Sequence, residues 1–198
     1  MNTRTSHILL VTSAFLAGLV IFLGVFFYAT GNLNSGGSGA SAIGGPFTLT
    51  DHNGKTITDR DLKGKPFLVF FGFTHCPDVC PTSLFEMSEL MQALGKDADK
   101  TNAVFITVDP ERDTPAVLKD YLSSFDPHVI GATGDRQQIE AAEKAYRVYA
   151  KKVPGDNGDY SMDHTALIYL MDKQGRFVAP FSLKRSPQEA AAELRKYM

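Results

Sequence analysis

The chain has 198 residues, of which 43% are hydrophobic, and its formal net charge of -2 accompanies a pI near 6.2. This balance offers no basic surface, so we expect no nucleic acid among its partners. Cys76 and Cys80 are its only cysteines.

Residues 8–28 contain no charged side chain. A helix of that length spans roughly 30 Å of bilayer hydrocarbon, which predicts a transmembrane anchor after a short cytoplasmic N-terminus at 1–7. The alternative is a cleaved signal peptide, whose apolar core is usually only about 7–15 residues long. Arg4 precedes the span and residues 29–50 contain no Lys or Arg, so the rest of the chain is predicted to be translocated. We therefore expect a single-pass protein of the bacterial inner (plasma) membrane with its C-terminal domain in the periplasm.

Residues 29–45 are rich in Gly and Ser and predict a flexible linker, because such a stretch cannot bury enough apolar area to fold. Residues 46–198 have the length of one domain with a sizeable core. A domain on a linker of this kind stays near the membrane surface, so we expect its partner to be membrane-bound too.

The domain alternates predicted strands and helices. The apolar run 66–73 predicts a buried central strand, and 83–94 predicts an amphipathic helix with Met87 and Met91 in the core. A second buried strand is predicted at 103–108, followed by a helix with Thr114 as N-cap and Pro115 at its first position.

The second half continues with a short strand at 128–133 and a helix at 135–150 that places Tyr146 and Tyr149 on its core-facing side. After a polar loop, residues 164–181 predict a hairpin that turns at 172–175. Ser186 and Glu189 then form the capping box of a last helix. This order predicts an α/β, thioredoxin-like (peroxiredoxin-related) sandwich with a central sheet flanked by helices, preceded by one transmembrane helix.

Cys76 is predicted in the loop that leaves the central strand, and Cys80 in the first turn of the following helix. The helix N-terminus is expected to stabilise a thiolate. Their four-residue separation allows a disulfide or two corners of a metal site, and the residues leave both chemistries open. Asp78 is interpreted as a helix-start charge rather than a ligand.

A histidine could complete either site. His7 and His52 are expected to be solvated and His128 to be structural. His75 adjoins Cys76, so the two side chains point to opposite sides of an extended chain. His164, after a Gly-rich loop at the start of a predicted strand, should lie across from the cysteine-bearing helix. A structural role and a ligand role are both open for it.

Three motifs occur in order after the predicted anchor: GFTHCPDVCPTSL at 72–84, TVDPERDTP at 107–115 and DHTALIYLMDKQG at 163–175. Together they resemble the Sco/SenC family of copper-binding cytochrome c oxidase assembly proteins. The likeness covers nearly the whole domain from Phe47. The resemblance implies a membrane-anchored thioredoxin-like domain that binds one copper ion through Cys76, Cys80 and His164.

The implied function is that of a copper metallochaperone, not an enzyme, which supplies the binuclear copper centre of cytochrome c oxidase during assembly. Two thiolates suit Cu(I), and the imidazole lets the same site hold Cu(II) with an added ligand. The implied partners are the copper-bearing subunit of the oxidase, a periplasmic copper donor chaperone and a thiol reductant.

Alternative functions use the same residues. With Cys76 and Cys80 as a redox-active pair, the protein would be a periplasmic thiol–disulfide oxidoreductase that reduces the oxidase's copper-ligand cysteines, or a redox or copper sensor. A peroxidase, suggested by CPTS at Cys80, ranks last because Pro77 stands where its threonine should be. Two roles stay open: Asp163 either orients His164 or is solvated, and TVDPERDTP either starts a helix with solvated charges or has an unknown role.

Overall fold

The computed structural model of the protein describes residues 16–26, 43–155 and 158–198. The chain divides into two units, Met1–Ser41 and Ala42–Met198. In the first, residues 16–26 are helical; the remainder of the predicted anchor at 8–28 and most of the predicted linker lie outside the described residues. Of the helices that are described, none combines the length and the apolar character needed to cross a membrane.

The second unit contains nine strands within its described residues. They are β1 (Thr48–Asp51), β2 (Thr56–Thr58), β3 (Phe67–Gly72), β4 (Asn102–Thr107), β5 (Val129–Thr133), β6 (Ala150–Pro154), β7 (Tyr160–His164), β8 (Ile168–Met171) and β9 (Phe177–Pro180).

Helices alternate with these strands. They are α1 (Val79–Leu94), α2 (Pro115–Leu122), α3 (Arg136–Tyr146) and α4 (Pro187–Leu194), with short 3-10 turns at Gly95–Lys100 and Arg195–Tyr197. The predicted caps are confirmed, since the Thr114 side chain accepts from the N–H of Val117 and the Ser186–Glu189 capping box is formed.

Seven strands form one sheet in the order β2-β1-β5-β4-β3-β8-β9, and β6 and β7 form a separate two-stranded sheet. Strands β3, β4 and β5 run parallel, and the neighbours at both edges are antiparallel. Gly72 at the end of β3 pairs with Thr107 at the end of β4. The carboxyl ends of these two central strands therefore meet at one edge of the sheet, where α1 and α2 follow.

Both faces of the central strand are packed. On one face the Phe70 ring lies against Phe105 of β4, and on the other Phe71 lies between Tyr146 of α3 and Tyr169 of β8. Every residue of β3 is buried, as predicted from its continuous apolar run. Met87 and Met91 are buried on α1, which confirms them as core residues.

The local structure differs from the prediction in three places. Helix α3 ends at Tyr146, because Arg147 adopts the left-handed conformation (φ 55°), so Tyr149 leaves the core-facing side and is exposed. The polar loop predicted before His164 folds as the β6–β7 hairpin. Most of its side chains are exposed, so the sequence lacks the alternation of apolar and polar residues that marks a strand. The pair β1–β2 escaped prediction because its strands are only four and three residues long.

The first described residues of the second unit pack against the core of the same unit. Ile43 contacts the core, and the N–H of Gly44 donates to the carbonyl of Ala145 at 2.9 Å.

Replacement of Leu84 tests how firmly α1 is held on the sheet. Leu84 is fully buried and its neighbour Phe85 is 59% exposed. We predict that Leu84→Ala lowers the free energy of unfolding by about 2–5 kcal/mol, because it leaves a cavity in the core. The control Phe85→Ala should change it by less than about 0.5 kcal/mol. Urea denaturation followed by circular dichroism measures both, and equal effects would contradict this packing.

Candidate metal centre

The two cysteines lie where β3 passes into α1. The N–H of Cys76 donates to the Phe73 carbonyl at 3.3 Å, which turns the chain after the strand. Cys80 is the second residue of α1, and its N–H donates to the Cys76 sulfur at 3.4 Å. Both are free thiols, Cys80 fully buried and Cys76 partly buried. The predicted placement of the cysteines in the loop and the first helical turn is confirmed.

Gly72 makes room for the Cys80 sulfur. A Cβ at position 72 would lie 2.8 Å from the Sγ of Cys80 and 2.6 Å from Cε2 of Phe105. Both distances are shorter than van der Waals contact, so the sulfur fits against the end of β3 only because residue 72 has no side chain.

His164 reaches the cysteines from the separate hairpin. It is the last residue of β7 and pairs with Ala150 of β6, whereas the next strand of the large sheet begins at Ile168. The prediction that His164 begins that strand is therefore wrong. Its predicted position across from the cysteine-bearing helix is confirmed, since Nε2 of His164 lies 3.7 Å from Sγ of Cys80.

The imidazole of His164 is oriented by two neighbours. Its Nδ1 lies 3.2 Å from the carbonyl oxygen of Thr165, which can only accept, so Nδ1 carries the proton and Nε2 presents its lone pair to the cysteines. The Phe73 ring stands at 88° to the imidazole with the centroids 5.7 Å apart. Asp163 is exposed, which agrees with the interpretation that it is solvated, and the acceptor beside Nδ1 is the Thr165 carbonyl.

Cys76, Cys80 and His164 converge. One ligand atom from each lies within 4.8 Å of the others, and over the described ranges they form the only group of three or more such side chains placed to hold a metal ion. Burial differs among the three, because Cys80 is buried while Cys76 and His164 are each partly open. An ion held here would be reached from the Cys76 and His164 side.

Burial shifts the proton equilibria of two of these groups. It lowers the pKa of His164 below the ordinary value, which the Thr165 carbonyl partly opposes, so the ring is neutral at pH 7. Burial also raises the pKa of the Cys80 thiol well above the ordinary value. Desolvation is the largest cause, and a hydrogen bond with the Phe73 backbone opposes it. The buried Cys80 therefore does not favour the thiolate that was expected at the helix N-terminus.

The remaining described histidines stay outside the cluster. His75 is exposed and its Nδ1 lies 3.1 Å from the Thr74 hydroxyl. The imidazole of His128 contacts Asp126 and is structural, as predicted. His52 is partly buried and its Nδ1 accepts from the N–H of Gly131 at 2.8 Å, so its prediction as solvated is wrong. His7 lies outside the described residues.

Two acidic groups of the TVDPERDTP segment are buried instead of solvated. Asp109 and Asp113 are 1% and 0% exposed. Asp113 accepts hydrogen bonds from the Thr74 and Thr107 hydroxyls, both at 2.6 Å. One feature of the sequence could have predicted this burial. Acidic residues that directly follow a buried parallel strand lie at the sheet edge where sites are usually built. Asp78 stands at the N-cap of α1 without a side-chain capping bond.

The fold and the cluster together define a thioredoxin-like α/β domain with a Cys-Cys-His candidate metal centre at the carboxyl edge of its sheet. The family model described as SCO1/SenC matches residues 35–198. The chain belongs to the SCO1/SenC family, which confirms the resemblance found in the three motifs.

Several relatives are similar over most of the chain. The SCO2-like protein of Rickettsia felis is 46% identical over 149 residues, which are 74% of this chain and 73% of that protein. The structure of Bradyrhizobium japonicum ScoI with copper bound is 70% identical, with a TM-score of 0.78, and covers 79% of this chain and 100% of its own. The crystal structure of yeast Sco1 with copper bound is 38% identical, with a TM-score of 0.71, and covers 79% of this chain and 88% of its own. These structures confirm the thioredoxin-like α/β fold.

Substitution of Gly72 tests the seat of the Cys80 sulfur. We predict that Gly72→Ala lowers the free energy of unfolding by about 1–3 kcal/mol, because the added methyl group overpacks a fully buried site. Gly155→Ala is the matched control, since its Cβ would meet no atom closer than 3.4 Å. Urea denaturation of both variants checks this; a Gly72→Ala protein as stable as the control would refute the tight fit.

Proposed function

We propose that this chain binds one copper ion through Cys76, Cys80 and His164. The observation that carries the proposal is the convergence of two sulfurs and one imidazole nitrogen within 4.8 Å. The copper-bound ScoI of Bradyrhizobium japonicum, which is 70% identical, supports the choice of metal. Hard cations such as Ca²⁺ and Mg²⁺ prefer oxygen ligands, whereas thiolates favour Cu(I).

The donor set suits a metal that is carried and passed on. Two thiolates and one neutral imidazole bind Cu(I), and the imidazole together with one added ligand accommodates Cu(II). Cys76 and His164 are partly open, so a ligand of the acceptor can approach the ion before the buried Cys80 dissociates from it. Copper is thus the cargo of the protein, and the chain is a metallochaperone, not an enzyme.

The acceptor in this proposal is the binuclear copper centre of cytochrome c oxidase, in its copper-bearing subunit, during assembly. Membership of the SCO1/SenC family supports this role. The charge-free residues 8–28 support a single-pass anchor in the bacterial inner membrane with the domain in the periplasm. A periplasmic copper donor and a thiol reductant complete the cycle, because an oxidising space would otherwise convert the pair to a disulfide.

A thiol–disulfide oxidoreductase is the second candidate. The contact between the Cys80 N–H and the Cys76 sulfur favours this candidate, because both thiols then lie at the start of the same helix. In that case the partly open Cys76 would be the attacking thiol, because the Cys80 thiol is buried and its pKa is raised. Against this candidate as the sole function, the position of His164 has no use in simple disulfide exchange. A sensor that uses the same site is compatible with both chemistries.

Removal of His164 separates the two candidates. We predict that His164→Ala abolishes stable copper binding and oxidase assembly, while Cys76 and Cys80 still form a disulfide. The exposed His75 provides the control His75→Ala, which should bind copper like the wild type. Copper titration of the purified chain, with the thiolate-to-Cu(II) absorption as signal, measures binding.

Complementation of a strain that lacks the protein, at limiting copper, measures the assembly of active oxidase. Full complementation by His164→Ala would sink the metallochaperone proposal and favour the reductase.

The raised pKa of Cys80 predicts a pH dependence of binding. Its thiol is protonated at neutral pH and must lose that proton to bind copper, whereas His164 is already neutral above its lowered pKa. Higher pH therefore favours binding, and the apparent Cu(I) association constant should rise at least about tenfold per pH unit between pH 7 and 8.5. Competition with a Cu(I) chelator, corrected for the chelator's own protonation, measures the slope. A slope of zero would contradict the buried, protonated thiol.

A further inference from the structure

Residues 107–113, here called the connecting segment, fold back onto the end of β4. The Thr107 hydroxyl accepts from the N–H of Asp109 at 2.9 Å and donates to a carboxylate oxygen of Asp113 at 2.6 Å. The N–H of Asp113 donates in turn to the Asp109 carbonyl at 2.9 Å. Because Thr107 pairs with Gly72, the connecting segment is anchored beside the strand end that leads to the cysteines.

One end of the connecting segment holds the cysteine loop. The buried Asp113 carboxylate accepts from the Thr74 hydroxyl at 2.6 Å and from the Thr74 N–H at 3.0 Å. Thr74 stands two residues before Cys76, so these two bonds fix the course of the backbone that carries the first thiol.

The other end holds the hairpin that carries His164. Asp109 accepts from the Tyr160 hydroxyl at 2.9 Å and from Nε of Arg112 at 2.5 Å. Arg112 donates from Nη1 to the Tyr160 carbonyl at 3.0 Å, and its guanidinium carbon lies 3.8 Å from the centroid of the Tyr160 ring. The ammonium of Lys152 lies 3.7 Å from the same centroid. Tyr160 begins β7, and His164 ends it.

The hairpin depends on such side-chain contacts. Strands β6 and β7 pair with each other, and neither joins the seven-stranded sheet. Its base is tied by the N–H of Thr165, which donates to the Tyr149 carbonyl, and by the N–H of Tyr149, which donates to the Thr165 hydroxyl. These bonds do not connect the hairpin to the cysteine loop, whereas the connecting segment contacts both.

We propose that the connecting segment is a positioning element of the metal centre, in which Asp113 fixes the cysteine loop and Asp109 with Arg112 fixes the His164 hairpin. These three residues act through Thr74 and Tyr160, and hold the ligands together before copper arrives. A preformed site avoids the ordering cost that a loose one pays on binding. This inference rests on the proposed function, since its effect is on the affinity for copper.

Two substitutions each remove one hydroxyl hydrogen bond to the connecting segment, with little change in the shape of the side chain. Thr74→Val removes the hydroxyl that donates to Asp113, and Tyr160→Phe removes the hydroxyl that donates to Asp109 but keeps the ring between Arg112 and Lys152. We predict that each weakens Cu(I) binding roughly tenfold, as loss of an outer hydrogen bond does at other metal sites. The affinity is measured on the purified full-length chain in detergent, by competition with a chromophoric Cu(I) chelator.

Two controls separate positioning from general destabilisation. Ile139→Val trims a buried side chain of α3 and should lower the melting temperature of the copper-free chain without changing its Cu(I) affinity. Tyr149→Phe removes the hydroxyl of an exposed tyrosine at the base of the hairpin and should also leave the affinity unchanged. An affinity loss in Ile139→Val equal to that in Thr74→Val and Tyr160→Phe would overturn the proposal.

Amide hydrogen exchange on the copper-free chain gives a readout without metal. Thr74→Val should speed exchange in residues 73–76, and Tyr160→Phe in residues 160–164. Wild-type exchange and wild-type Cu(I) affinity in both variants would overturn the positioning role and leave the proposed function intact. Failure of the wild-type chain to bind Cu(I) would instead overturn the proposed function, whatever the exchange rates show.

Discussion

The candidate metal centre depends on one buried sulfur atom. The Cys80 thiol lies under the end of the central strand, where Gly72 leaves it space, and 3.7 Å from Nε2 of His164. Its burial prevents easy ionisation, since a thiolate loses most of its hydration there. A metal ion that replaces the thiol proton restores a favourable partner for the sulfur. The same burial that makes Cys80 a poor nucleophile therefore suits it to be a metal ligand.

The other two groups of the cluster come from elements that are packed differently. Cys76 follows a strand in which every residue is buried, while His164 ends a small hairpin outside the main sheet. A site shared between the sheet edge and a separate hairpin depends on contacts that couple the two. The buried carboxylates of Asp109 and Asp113 are placed to do so, each through a hydroxyl of a neighbouring element. Cys76 and His164 are partly open, and the proposed role of the connecting segment is to hold their elements in place. This combination fits a protein that binds an ion and then transfers it.

Much of the fold could be predicted because its strongest signals are local. The apolar runs gave β3 and β4, and the caps at Thr114 and Ser186 marked two helix starts. The β6–β7 hairpin was missed because most of its side chains are exposed, so it shows no apolar alternation. The end of α3 was missed because a left-handed Arg147 has no sequence signature comparable to a glycine.

The candidate site, like the fold, could be predicted only in part. Family resemblance brought His164 together with the cysteines across more than eighty residues, which spacing alone could not do. The environment of each group was beyond the sequence: the raised pKa of Cys80, the Thr165 carbonyl behind His164, and the burial of Asp113 all depend on contacts between distant segments.

The most direct test of the account is the coordination of copper itself. Copper K-edge X-ray absorption of the chain loaded with one equivalent of Cu(I) reports the number and type of ligand atoms. The account predicts two sulfur scatterers and one imidazole nitrogen for each copper ion. A spectrum without sulfur scatterers, or one without the imidazole nitrogen, would contradict it.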